Sequence, residues 1–293
     1  MNQDVPELLE SLDVPLIEEE DGVERTDDVT LTPGSNSDSP ELVEKHISED
    51  IRKLYDVYSY RHAAAIFRTS FPTELAELED ALRQFSLTTR DIGTPGGNES
   101  IIPKKFSDVL RPHEWKETRI QGDLLIRLIS SSSKMIKVKP EHWKTADVKT
   151  IENYIDGHKI DYVKGQVAFD LEWNSKDQTF DRDLYAFRLF HECGVISAAA
   201  LVTRSEKLNP VFPHVPVLDK KGNQLRDEKG RVKMCNTKYG ASSTWMGKLL
   251  YRMNAGRSGG CPVLIFGITP KVIEDWPPKE DHDESVGEFT VKG

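Results

Sequence analysis

Residues 161–174 read D-Y-V-K-G-Q-V-A-F-D-L-E-W-N, and the second half of this run alternates strictly. Val167, Phe169, Leu171 and Trp173 are apolar, while Ala168, Asp170, Glu172 and Asn174 are small or polar. A period of two is a strand period, so Asp170 and Glu172 share one face. Lys164-Gly165 supplies a turn, because glycine tolerates the backbone angles that turns require. The turn folds Asp161, on the preceding strand, back toward the Asp170/Glu172 face. A chain with this run must therefore build a β-hairpin carrying three acids. Three carboxylates that converge repel one another unless a cation sits among them. The cation suited to an all-oxygen site is magnesium, and magnesium beside a phosphate is the chemistry of phosphodiester cleavage. A D-x-E pair on a strand also occurs as an ordinary solvated face; the third acid is what argues for more.

Charge divides the chain. Residues 1–50 hold sixteen Asp/Glu against Arg25 and Lys45, a net of −14. The 293-residue chain carries −10, so residues 51–293 carry −10 − (−14) = +4. The expected organisation is an acidic, disordered tail (1–50), a mildly basic folded body (51–275) and a frayed C-terminal tail (276–293). A basic body is compatible with nucleic acid, and the tail with either a solvated extension or a DNA mimic over a basic cleft. Cys193, Cys235 and Cys261 are dispersed without C-x-x-C spacing, which argues against a disulfide framework and a zinc site. There is no apolar run long enough for a bilayer and no signal-peptide pattern, so no membrane partner and a soluble, cytoplasmic protein are expected.

Along the body, 63–66 and 72–85 carry a helical period, with Leu75, Leu78, Leu82 and Phe85 on one stripe and Thr73 as N-cap. Residues 106–115 suggest a short helix, 123–129 a strand or short helix, 134–139 an edge strand and 145–153 a helix. After the hairpin come a helix over 180–191, a buried strand of small residues over 196–202, and a protruding hairpin or loop over 217–232. A helix over 242–253, capped by Ser242 or Ser243, and a buried strand over 262–268 follow. Strands alternating with helices from 159 to 268 predict an α/β fold, a mixed central β-sheet flanked by helices.

Four blocks carry a family resemblance. They are the hairpin, D-Y-V-K (161–164) with V-A-F-D-L-E-W (167–173); W-K-E-T-R (115–119); V-Y-S (57–59), which looks like the start of a first family helix; and N-A-G-R (254–257) followed by P-V-L-I-F-G-I-T-P (262–270). The body resembles the BglII/BstYI group of type II restriction endonucleases, within the PD-(D/E)-x-K nuclease superfamily, over residues 55–270. The resemblance implies a restriction-endonuclease-like fold and a symmetric homodimer on double-stranded DNA. It also implies a Mg2+-dependent cut within a palindrome with central GATC, as part of a restriction–modification system. A repair or mobile-element nuclease of the same fold, or a catalytically inactive DNA-binding module, are the alternatives. The family's last two active-site positions are Glu-x-Gln; here they are Asp170-x-Glu172, and the superfamily lysine is absent.

Asp161 is the candidate bridging metal ligand, Asp170 a second ligand, and Glu172 a ligand through water or the group orienting the attacking water. By resemblance, the Leu171 backbone carbonyl completes the metal site. Asn174, Ser175, Lys176 and Gln178 have the side chains that read adenine and guanine edges; a polar strand-to-helix loop capped by Asp177 is the alternative. Lys164 and Arg204 are candidate phosphate contacts, as are Lys248, Arg252 and Arg257.

Overall fold

The structure, a computed structural model, describes residues 37–96, 101–132, 139–240 and 242–277. In chain order the elements are helices α1 (Pro40–His46) and α2 (Glu49–Leu54), strand β1 (Tyr55–Tyr60), helices α3 (Ala63–Ser70), α4 (Pro72–Gln84), α5 (Thr89–Gly93) and α6 (Ile101–Leu110), and strands β2 (Lys116–Arg119), β3 (Gly122–Ser130), β4 (Lys144–Ile155), β5 (Lys159–Lys164) and β6 (Val167–Glu172). Then follow helix α7 (Thr179–Glu192), strand β7 (Ala198–Arg204), helix α8 (Met246–Asn254) and strand β8 (Val263–Ile268).

Six strands form one mixed sheet in the order β1-β8-β7-β6-β5-β2. Strands β6, β7 and β8 are mutually parallel, each step made through a crossover, whereas β5 runs antiparallel to β6. Both faces are covered. Phe169, Val202 and Phe266 point into a core shared with α3, α4 and α6, while Ala168, Leu201 and Ile265 point into a second core under α7 and α8. Burial on both faces explains why every residue of β6, β7 and β8 is buried despite the alternating pattern of β6.

Several elements depart from the expectations. Val57-Tyr58-Ser59 lies in strand β1, paired antiparallel with β8, and does not start a helix. Its neighbours Tyr55 and Tyr60 are buried, and an aromatic, β-branched run suits a half-buried pleat better than a helix. Residues 145–153 are strand β4, not a helix; β3 and β4 pair with each other in a separate two-stranded sheet that leaves Leu128, Val148 and Tyr154 exposed. Cross-strand pairing with β3 overrides a weak local propensity there. Residues 134–139, expected as an edge strand, lie outside the described residues except for Lys139. Helix α4 begins at Pro72 with Phe71 at the N-cap, so Thr73 is inside the first turn. Helix α8 begins at Met246 after Trp245, with neither Ser242 nor Ser243 as cap.

The folded body starts earlier than residue 51. Helices α1 and α2 place Val43, Ile47 and Ile51 in the core, and Ser39 caps α1. Trp276 packs against the same core at the other end. Residues 1–36 and 278–293 lie outside the described residues. Among the described residues no helix is long and apolar enough to cross a membrane, and the three cysteines are free.

Candidate active site

Strands β5 and β6 meet at a two-residue turn, Gly165-Gln166, with Lys164 opposite Val167 and Gly165 at φ +53°. The pairing runs through Tyr162 opposite Phe169, and the Asp161 N–H donates to Asp170 Oδ1 at 3.0 Å. Alternation along β6 then sets Glu172 on the same face as Asp170, the face that carries Ala168 into the α7/α8 core. Asp161, Asp170 and Glu172 are thus brought to one end of the hairpin, under the start of α7. The side chain of Leu171 points to the opposite core, so only its backbone is available to this face.

Two of these acids are out of solvent and one is not: Asp170 is 4% exposed and Glu172 8%, while Asp161 is exposed. Loss of hydration holds the Asp170 carboxyl well above the usual carboxylate range, with the charges of Asp183 and Asp161 adding to it. Burial likewise pushes Glu172 up to about 8, reinforced by Asp183 and opposed by a hydrogen bond from Ser175. Asp161 is raised for the same first reason, against a hydrogen bond with Asp170.

Asp183 recurs in each case and was not foreseen. It sits on α7 among residues 180, 184 and 187, the buried stripe of that helix, and is 1% exposed. Its Oδ1 lies 3.5 Å from His158 Nε2 and 3.5 Å from Arg182. Its Oδ2, like Glu172 Oε2, is buried with no hydrogen-bond partner in the protein. The signal for Asp183 was present in the sequence as an acid inside the apolar stripe 180–184–187–190, a position that a solvated helix face does not explain.

The donor chemistry suits a hard divalent cation: carboxylates only, two of their buried oxygens orphaned, and charge that a cation would neutralise. Among the described residues, however, no group of three or more His, Cys, Asp or Glu side chains stands ready, as placed, to hold a metal ion. The carboxylates share a region and an electrostatic field rather than a preformed coordination sphere.

The other candidates divide. Asn174, Lys176 and Gln178 are exposed and Ser175 half-buried, on a segment fastened by Thr244 N–H to Ser175 O (2.8 Å) and Asp177 N–H to Ser242 O (2.9 Å). Asp177 does not cap α7; it pairs with Lys248 and Arg252 of α8 at 3.7 and 3.6 Å. Arg257 pairs with Asp181 on α7. These cations join α7 to α8, so they are engaged in the fold rather than presented to a phosphate.

Two candidates are held by partners within the fold. Arg204 is 1% exposed and cannot reach a phosphate. It donates to Trp173 O (2.7 Å), Thr244 O (2.7 Å) and Ser243 Oγ (2.6 Å), with its guanidinium 4.8 Å from the Tyr239 ring centre. Arg204 therefore ties Trp173, at the start of the 174–178 segment, to the Ser243–Thr244 backbone to which Ser175 is fastened. Lys164 sits on the opposite face of β5 from Asp161, three residues away, and binds Glu77 of α4 at 2.5 Å. Glu77 also accepts from Trp115 Nε1 (2.8 Å), which ties the W-K-E-T-R block to α4 and to the hairpin turn.

A cleft of about 530 Å³ opens at the same strand end but on the other face, lined by Leu171, Trp173, Asn174, Ser175, Lys238 and Tyr239 among others. None of the acids of the candidate site lines it.

A family model described as "Restriction endonuclease BglII/BglIII" matches residues 55–268, from β1 to the end of β8. No curated protein matches the chain.

Proposed function

We propose, because this chain belongs to the BglII/BglIII family of restriction endonucleases, that it is a Mg2+-dependent endonuclease that cuts both strands of a palindrome with central GATC. It would act as a homodimer within a restriction–modification system. The observation that carries this is the gathering of Asp161, Asp170 and Glu172 at one end of the β5–β6 hairpin, beside the exposed Asn174–Gln178 segment.

Asp161, Asp170 and the Leu171 carbonyl are the groups that would hold the ion. When bound, magnesium supplies positive charge at the scissile phosphate and makes water a stronger acid. Glu172, one turn of pleat further on, offers the unpartnered Oε2 as an acceptor for the attacking water and so orients it. Its burial makes it a better base than a surface carboxylate. Asn174, Lys176 and Gln178 supply amide and ammonium groups that match adenine and guanine edges in the major groove. Arg204 holds the backbone on which they stand. Two copies related by a two-fold axis would each read one half of a palindrome.

The test is incubation of the purified protein with plasmid DNA and MgCl2, alongside the same plasmid methylated at GATC. Discrete fragments that methylation prevents, and that Asp161→Ala abolishes, support the proposal. Discrete fragments at sites without GATC would replace the target but keep the reaction. Binding without cleavage in any divalent metal would leave a DNA-binding module and overturn the enzyme.

A further inference from the structure

We infer that Asp183 is a fourth carboxylate of the metal site, contributed by helix α7 rather than by the hairpin. The inference rests on the metal-dependent reading of Asp161, Asp170 and Glu172.

The geometry comes from two periodicities. On α7, Phe180, Asp183, Leu184 and Phe187 fall on one helical stripe, and the three apolar members pack in the α7/α8 core. On β6, Ala168 packs in that same core, so Asp170 and Glu172, two and four residues on, point from the sheet toward α7. Asp183 is the acid on the helix that faces these two acids on the strand. A carboxylate placed there by accident would be costly, because an ionised group out of water needs compensation on both oxygens. Only Oδ1 has it, from His158 and Arg182 at 3.5 Å each. Oδ2 is buried and unpartnered, as is Glu172 Oε2 on the strand. A buried, unpartnered carboxylate oxygen on a second element, beside acids of like charge, is satisfied by the same cation that Asp161 and Asp170 would hold. Arg182 offsets part of the added negative charge. Asp183 also bears on the missing lysine: with four acids and no lysine, the site depends more heavily on its metal than a site with a fixed ammonium.

The experiment is calorimetric titration of MnCl2 and MgCl2 into the full-length protein and into Asp183→Asn, together with melting curves of both in EDTA and in metal. The expected result is a metal affinity lowered about tenfold or more in the variant. In EDTA its Tm should rise by roughly 2–4 °C as repulsion is relieved, and the metal-induced rise in Tm should shrink. A purely structural Asp183, holding His158 and Arg182, would instead give a lower Tm in EDTA and unchanged metal affinity, which overturns the inference. A second measurement needs no variant: Fe2+ with ascorbate and peroxide, which cuts the backbone next to a bound ion, should cut α7 beside Asp183 as well as β5 and β6. Cuts confined to the hairpin overturn the inference. Wild-type protein that takes up no metal at all overturns the metal-dependent reading itself, whereas wild-type binding that Asp183→Asn leaves intact overturns only the role of Asp183.

Discussion

The two faces of strand β6 carry side chains from the same six residues into opposite environments. On one face, Phe169 stacks into a ladder with Phe106 and Tyr162, at ring-centre distances of 5.6 and 5.3 Å, and Phe85 continues it at 4.7 Å from Phe106. On the other, Asp170 and Glu172 are buried just as deeply beside Asp183. The apolar face gains stability from burial, and the acid face loses it, because burial of carboxylates opposes their charge. A strand whose two faces pull in opposite directions is a scaffold on one side and, in the function proposed above, the reacting site on the other. The scaffold has to be rigid enough to hold charges together that would otherwise move apart.

That contrast can be broken from either side. The largest effect is expected at Asp161→Ala, which should lower the rate of plasmid cleavage by roughly 10⁴-fold, equivalent to about 5.5 kcal/mol, while the melting temperature stays at or above wild type. Single-turnover cleavage and a thermal melt check both halves, and persistent cleavage would place the chemistry elsewhere. On the opposite face, Phe169→Ala should cost roughly 3–5 kcal/mol of stability by denaturant titration. The fraction still folded should keep its cleavage activity. Loss of activity without loss of stability would mean that the faces are not independent.

Next in size is Glu172→Gln, which removes a buried charge at nearly constant shape and should stabilise the metal-free protein at pH 8 by on the order of 1–3 kcal/mol. The sign follows from proton linkage. The folded protein holds the Glu172 proton up to about 8, whereas the unfolded chain releases it near 4.5. Between those values the folded state binds more protons, so stability falls as pH rises through that window. Stability curves in EDTA across pH 5 to 8 should slope downward in wild type and less steeply in the variant; a flat wild-type curve would contradict the burial of charge on this face. The smallest effect belongs to Lys164→Ala, which breaks the pair with Glu77 on the scaffold face. It should cost about 1 kcal/mol or less and leave DNA cleavage unchanged, whereas a large loss of cleavage would return Lys164 to the phosphate.

Some of this was legible along the chain. The alternation of 167–174 placed the strand and its acid face, Gly165 placed the turn, and the 180–184–187–190 stripe placed α7. Lys164 was legible too: an odd number of residues from Asp161 puts it on the other side of β5. Residues 145–153 were not, because nothing local distinguishes a strand whose partner among the described residues is another exposed strand. Arg204 at a strand end has the same local signature whether it reaches outward or turns under Trp173 and Thr244.

The sequence by itself determined which residues of the hairpin share a face and that three of them are acids, since side-chain alternation depends only on the backbone of each strand. Only the tertiary structure decided that Asp170 and Glu172 are buried, that Asp183 of α7 lies near them and that Arg204 is turned inward. Each of these is set by what packs across the sheet, and the pattern within one element carries no record of its neighbour in another.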